Sequence, residues 1–221
     1  MQGLLENLPE WLPQFLWASL QTLELTAVSF VLAVLIGIVV ALLRRTRFAP
    51  IRWAMVAFVE VGRGTPALVI LFLIYFALPD SIPALSLDSF TAAVIGLGLQ
   101  GGAVLSEIFR AGIDALDRGQ REAGASLGLT PAQTMVDVIA PQAIRIVLPP
   151  VGNYAIGLLK DTSIASIIAA PDLMLRAKDL ASSSFLPMQA YVLAAMFYFA
   201  MSYPMSLMVG RLELRLARHR H

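Results

Sequence analysis

The chain has 221 residues, of which 58% are hydrophobic and 14% charged, with a mean hydropathy of +0.75 and a formal net charge of +1. That balance excludes an ordinary soluble globular domain, and the absence of cysteine excludes a disulfide framework and any thiolate metal site. A lipid bilayer is the partner such a composition needs, and nucleic acid is not an expected one.

The first residues lack the basic start and small-residue cleavage site of a signal peptide, since their charged side chains are Glu6 and Glu10. Leu4, Leu5, Leu8, Trp11 and Leu12 form a short amphipathic piece, with Trp11 and Trp17 as interfacial anchors, and predict a helix lying on the membrane surface. Five stretches then meet the requirement of about 20 mostly apolar residues for a helix crossing the hydrocarbon core. They fall at about 15–43, 54–78, 89–109, 151–170 and 189–209. The expected fold is an all-α membrane protein, a single transmembrane domain over residues 1–221.

The first span carries a lone Glu24, whose partner the sequence does not identify, and is followed by Arg44, Arg45, Arg47 and Arg52. In the second span, Gly62-Arg63-Gly64-Thr65-Pro66 predicts a break about midway, with Thr65 capping and Pro66 opening a half-helix that continues to Leu78. The positive dipole end and free N–H groups of such a half-helix suit a carboxylate. Two readings stay open: a substrate α-carboxylate received by the break and Arg63, or a packing kink with Arg63 paired to Glu60. In the third span Glu107 stands three residues before Arg110, so an i, i+3 ion pair is the economical reading, although Glu107 is also a candidate for the substrate path.

Residues 118–150 are a polar, proline-bounded island between apolar stretches. Glu122, Ala123, Ala125, Ser126 and Leu127 favour helix. Gly128 suits a left-handed C-cap, and Thr130-Pro131 supplies an N-cap followed by proline at the first helical position. Two short helices joined by a tight turn are predicted, with small side chains along the first that let a partner surface come close. An amphipathic helix lying on the bilayer is the alternative.

The fourth span carries Lys160 and Asp161 near its midplane, where a charge costs a few kcal/mol and usually faces a cavity or a partner. Being adjacent, they project about 100° apart; Asp161 is assigned to substrate and Lys160 to structure. Thr162, Ser163 and Ser166 either line the same path or pack between helices. Twelve arginines follow the first span, fill the 110–145 region or lie in the tail (Arg211, Arg215, Arg218, Arg220), whereas the first fourteen residues and the loop between spans two and three have neither Lys nor Arg. By the positive-inside rule the N-terminus is outside and the C-terminus cytoplasmic. His219 and His221, the only histidines, sit in that basic tail, so no metal site is expected.

The string Glu122-Ala123-Gly124, then Gly128, Val138, Ala140 and Pro141 resembles the cytoplasmic docking loop of permease subunits of binding-protein-dependent ABC importers. The pattern there is Glu-Ala-Ala, three residues, Gly, nine residues, Ile, one residue, Leu-Pro. Gly124 replaces the second Ala, Val138 the Ile and Ala140 the Leu. Residues 58–79, 105–113 and 148–168 look like the polar amino acid branch of that family, with Arg-Gly-Thr-Pro and Lys-Asp-Thr-Ser as the narrowing strings. An aromatic that often precedes the Ser/Ala-Glu pair there is missing here, where Gly101-Gly102-Ala103-Val104 stands.

The resemblance implies a type I ABC importer permease fold and a bacterial inner-membrane location. It further implies a second permease subunit, identical or paralogous, two ABC ATPase subunits holding ATP and Mg, an extracytoplasmic solute-binding protein and a polar amino acid as substrate. Glu122, Ala123, Gly124, Gly128 and Pro141 would dock the ATPase, and Arg63, Thr65, Glu107, Asp161, Thr162 and Ser163 would line the substrate path. In agreement, the sequence has no G-x-x-x-x-G-K-[ST] phosphate loop, so no cofactor is expected on this chain and it is not an enzyme by itself. The alternatives are another small organic solute in the same family, or a self-contained secondary transporter, for which no inverted repeat is found.

Overall fold

A computed structural model describes residues 2–116 and 118–217, so Arg218, His219, Arg220 and His221 lie outside the described residues. These residues form eight helices, a separate 3₁₀ turn at Pro83–Leu85 and no strand: α1 (Gln2–Leu43), α2 (Ala49–Gly64), α3 (Ala67–Ser81), α4 (Ser89–Asp114), α5 (Arg118–Ser126), α6 (Pro131–Ile168), α7 (Leu173–Ser184) and α8 (Pro187–Ala217). Four of them are long and apolar enough to cross a membrane, and α2 with α3 forms a bent pair that passes the same test.

The amphipathic opening and the first span are one continuous helix rather than a surface helix followed by a span. Pro9 and Pro13 sit one turn apart on the exposed side of α1, where carbonyls without donors can reach polar surroundings, so the rod is not broken. Trp17 is exposed, as an anchor should be, but Trp11 is buried at 2% exposure with Phe15 and Ala18. The cover is α7, which lies between the fourth and fifth expected spans: Leu173, Ala177, Leu180 and Ala181 point one apolar stripe at α1 and α8. At 12 residues α7 is too short to register as a span.

The break in the second span is sharper than a kink: α2 and α3 meet at 109°. Thr65 is extended (φ −98°, ψ 131°), the conformation forced on a residue before proline. Thr65 does not cap α3. Pro66 itself takes the cap position, without a side-chain hydrogen bond, and α3 starts one residue later than expected, at Ala67.

The expected short second helix of the 118–150 segment and the fourth span are likewise a single rod, α6. It passes through a π turn at Thr134–Ile139, immediately before Pro141, and tightens into a 3₁₀ turn at Thr162–Ile168. The wide turn carries the Ala140 N–H to Met135 O, five residues back. It thereby makes room for the proline ring, which in a regular α ladder would collide with a carbonyl four residues back.

At the junction of α6 and α7, Asp172 caps α7 by accepting from Leu175 N–H (2.8 Å) and accepts the Tyr198 hydroxyl of α8 (3.1 Å), while Leu173 N–H donates to Thr22 Oγ1 of α1 (2.9 Å). Three helices are thus tied at this junction, α7 and α8 through one buried carboxyl and α1 through the Thr22 hydroxyl. Burial pushes Asp172 up to about 6 from the usual 3.8, against the opposing hydrogen bonds. A carboxyl raised in the folded state gives stability that is complete below about 3.8 and lost as pH rises through about 6. The melting temperature of the purified protein in detergent should therefore fall between pH 4 and 6.5, and Asp172→Asn should flatten that slope.

Candidate functional site

Helix α4 is the centre of the bundle, packed by α1, α2, α3 and α6. Asp88 caps it, accepting from Thr91 N–H (3.0 Å) and Thr91 Oγ1 (2.6 Å), and those bonds hold its carboxyl below the ordinary range. Along the Gly101-Gly102-Ala103 run the neighbours of α4 come very close. A methyl on Gly101 would strike the Tyr154 hydroxyl of α6 and stand 2.7 Å from Ala33 Cβ of α1. One on Gly102 would strike Ile36, and one on Gly62 of α2 would stand 2.7 Å from Ala103 Cβ. Three helices therefore touch α4 within one turn, which explains why small residues occupy this run and leaves no room for a larger side chain.

The α2–α3 break lies against this run. Gln100 Nε2 donates to Thr65 O (3.4 Å), and Val69 and Ile70 N–H both turn back to Pro66 O (3.0 and 3.2 Å), so the orphan amides of the first α3 turn are those of Ala67 and Leu68. Arg63, in the last turn of α2, is exposed and makes no ion pair among the described residues, including with Glu60. Tyr154 and Asp161 are seven residues apart on α6 and so share a face. Asp161 is exposed.

The remaining candidates separate. Thr162 is fully buried and donates its hydroxyl to Leu159 O (2.8 Å), so it packs between helices. Lys160 and Ser163 instead line a cavity of about 310 Å³ against α7 and α8, with Met174, Tyr191 and Tyr198. Glu107 goes elsewhere: it accepts from Arg110 (2.7 Å) and from Arg44, in the turn just past α1, and Asp114 accepts from Arg110 (2.9 Å) and Arg45. This ladder ties the arginine-rich ends of α1 and α4, about two turns from Gln100. The i, i+3 pair was legible in sequence; the Arg44 partner, 63 positions away, was not.

Below the ladder, α5 and the start of α6 form a helical hairpin. Gly128 is left-handed (φ +74°). Leu129 N–H donates to Gly124 O and Gly128 N–H to Ala125 O (both 3.0 Å), which is a Schellman ending. Thr130 then caps α6 in a reciprocal box, its Oγ1 accepting from Gln133 N–H (3.3 Å) and its N–H donating to Gln133 Oε1 (2.9 Å). Gln142 Nε2 reaches Gln120 Oε1 (3.2 Å) and fastens α5 to α6. Glu122, Ala123, Gly128 and Pro141 are exposed, whereas Gly124 is buried. Leu127 (79% exposed) and Val136 (66%) are apolar residues the hairpin presents outward, and sequence reasoning had given neither a role.

The family described as "Binding-protein-dependent transport system inner membrane component" matches residues 33–218, and the chain belongs to it. It is similar to the "Probable glutamine ABC transporter permease protein GlnM" of Bacillus subtilis (strain 168), 39% identical, covering 97% of each chain. The "L-cystine transport system permease protein TcyB" of the same organism is 38% identical over 90% of this chain and 84% of its own length. Among solved structures, "Crystal structure of an amino acid ABC transporter with histidines" superposes with a TM-score of 0.89 at 37% identity, covering 95% of this chain and 97% of that one. A MetNI methionine ABC transporter structure in inward-facing form shares the fold at a TM-score of 0.70 and 18% identity, covering 90% and 95%. The fold is that of type I ABC importer permeases.

The packing at Gly101 gives a direct check. Gly101→Val should abolish the monodisperse peak in size-exclusion chromatography of detergent extracts, whereas Gly157→Ala, with nothing within 4 Å of the added methyl, should leave it unchanged.

Proposed function

We propose that this chain is the membrane-spanning subunit of an importer of polar amino acids, driven by ATP hydrolysis on a separate ABC subunit. The observation that carries the reading is the α5–α6 hairpin, closed by Gly128 and Thr130 and presenting Glu122, Ala123, Leu127 and Pro141 outward. An ATPase subunit with a complementary groove is the partner such a hairpin fits. Two of them, a second permease subunit, identical or paralogous, and an extracytoplasmic solute-binding protein would complete the assembly, with ATP and Mg on the ATPase subunits. Gly124 belongs to the hairpin as a buried residue rather than a contacting one.

The arginine distribution supports an external N-terminus and a cytoplasmic C-terminus in the bacterial inner membrane. The hairpin then stands in the cytoplasm, where ATP is. Relatives named for glutamine and cystine support an amino acid substrate.

For the path, the α2–α3 break offers the Ala67 and Leu68 amides and Arg63 to an α-carboxylate. Asp161 is the acid left for the ammonium or a cationic side chain, because Glu107 is engaged by Arg44 and Arg110. Thr65 contributes its backbone and Ser163 a hydroxyl beside Lys160, while Thr162 supports the helix from within.

Two measurements test the reading. In proteoliposomes with the ATPase and binding protein, Glu122→Arg and Gly128→Trp should cut substrate-stimulated ATP hydrolysis at least tenfold while the permease stays folded; unchanged stimulation would refute docking through the hairpin. Asp161→Asn should lower uptake about tenfold or more with basal ATP hydrolysis retained, and wild-type uptake would remove Asp161 from the path.

A further inference from the structure

Gly124 stands inside α5, where glycine is a poor helix former, and its neighbours Ala123 and Ala125 show that alanine suits this helix. The reason for glycine is across the hairpin. A methyl on Gly124 would stand 2.7 Å from both Cγ2 and Oγ1 of Thr134 and 3.2 Å from its Cβ. Thr134 is 5% exposed, lies in the π turn and is fixed through its N–H to Thr130 O (2.9 Å). Its β-branched side chain has few rotamers to retreat into. Gly128, by contrast, has nothing within 4 Å and is needed for its backbone alone.

We infer that Gly124 and Thr134 are a matched small–large pair that sets how closely α5 crosses α6, and that Thr134 is a positioning residue for coupling to the ATPase. Glu122 and Ala123 precede Gly124 directly and Leu127 follows one turn later, so any widening at the pair displaces the whole outward face. This inference rests on the docking role of the hairpin. Alanine at position 124 would have to push Thr134 and the π turn away, and removing the Thr134 branch reduces the conflict to a few tenths of an ångström at its Cβ.

The chain has no cysteine, so Leu127→Cys with Val136→Cys, both at exposed sites, would carry spin labels reporting the hairpin geometry in the full-length permease alone, where no ATPase covers Leu127. Unlabelled protein gives substrate-stimulated ATP hydrolysis in parallel. Gly124→Ala should shift the label distance and cut stimulation at least fivefold, and Gly124→Ala with Thr134→Ala should return both to within about twofold of wild type. Gly124→Ala combined with Thr134→Val, which keeps the bulk, should not recover. An unchanged distance in Gly124→Ala overturns the pairing. A distance that shifts and recovers while stimulation stays constant retains the pair but overturns the docking role. Should Gly124→Ala fail to accumulate, recovery by Thr134→Ala supports the pairing, and a double variant that also fails overturns it.

Discussion

Lipid gives apolar helices no reason to associate, because the acyl chains are as apolar as leucine. What holds this bundle is close approach, and close approach needs small residues on the helix that α1, α2, α3 and α6 all touch. On α4 the Gly101-Gly102-Ala103 run meets Ala33 and Ile36 of α1, Gly62 of α2 and Tyr154 of α6 within a single turn. The site inherits its shape from that packing. Thr65 is held by Gln100 one residue away, and the α2–α3 break is aimed at α4 because Gly62 allows α2 to lie so near.

The two ends of the bundle are held differently. At the Trp11 end, one buried carboxyl and two hydroxyls join α1, α7 and α8 through directed hydrogen bonds. At the other end, alternating Arg and acidic side chains join α1 to α4. The second kind of tie tolerates sliding better than the first, because charged groups retain attraction over a longer range than a hydrogen bond does. It is also the end that carries the hairpin.

Features written in local backbone chemistry were legible in the sequence. Gly128, Thr130 and Pro131 announce the turn, and Gly64-Thr65-Pro66 announces the break, because each acts within a few residues of itself. The all-α membrane fold was legible for the same reason that spans are: the apolar runs are long. What escaped was decided at a distance. Helix α7 is short and carries Arg176 and Lys178, so nothing local marks it except Asp172 at its cap. Arg44 finds Glu107 only after α1 and α4 pack, and the glycine at 124 makes sense only beside Thr134. The continuity of α1 and α6 also ran against a local signal, since prolines 9, 13, 141, 149 and 150 all suggest ends that the surroundings override.

The unbroken course of α6 has a mechanical meaning. From Thr134, in the hairpin, to Asp161 there are 27 residues, roughly 40 Å of helix at about 1.5 Å per residue. Along its length Gly112 and Gly152 bring α4 and α8 against it at Val147 and Val209, two contacts lying between its ends. Such a rod held near its middle behaves as a lever with arms of similar length. A tilt of only about 5° would carry either end a distance on the order of an ångström or two, comparable to the interface helix shifts by which protein switches commonly work. The leverage is near unity, so the stroke delivered at the hairpin would arrive beside Asp161 undiminished and reversed in direction.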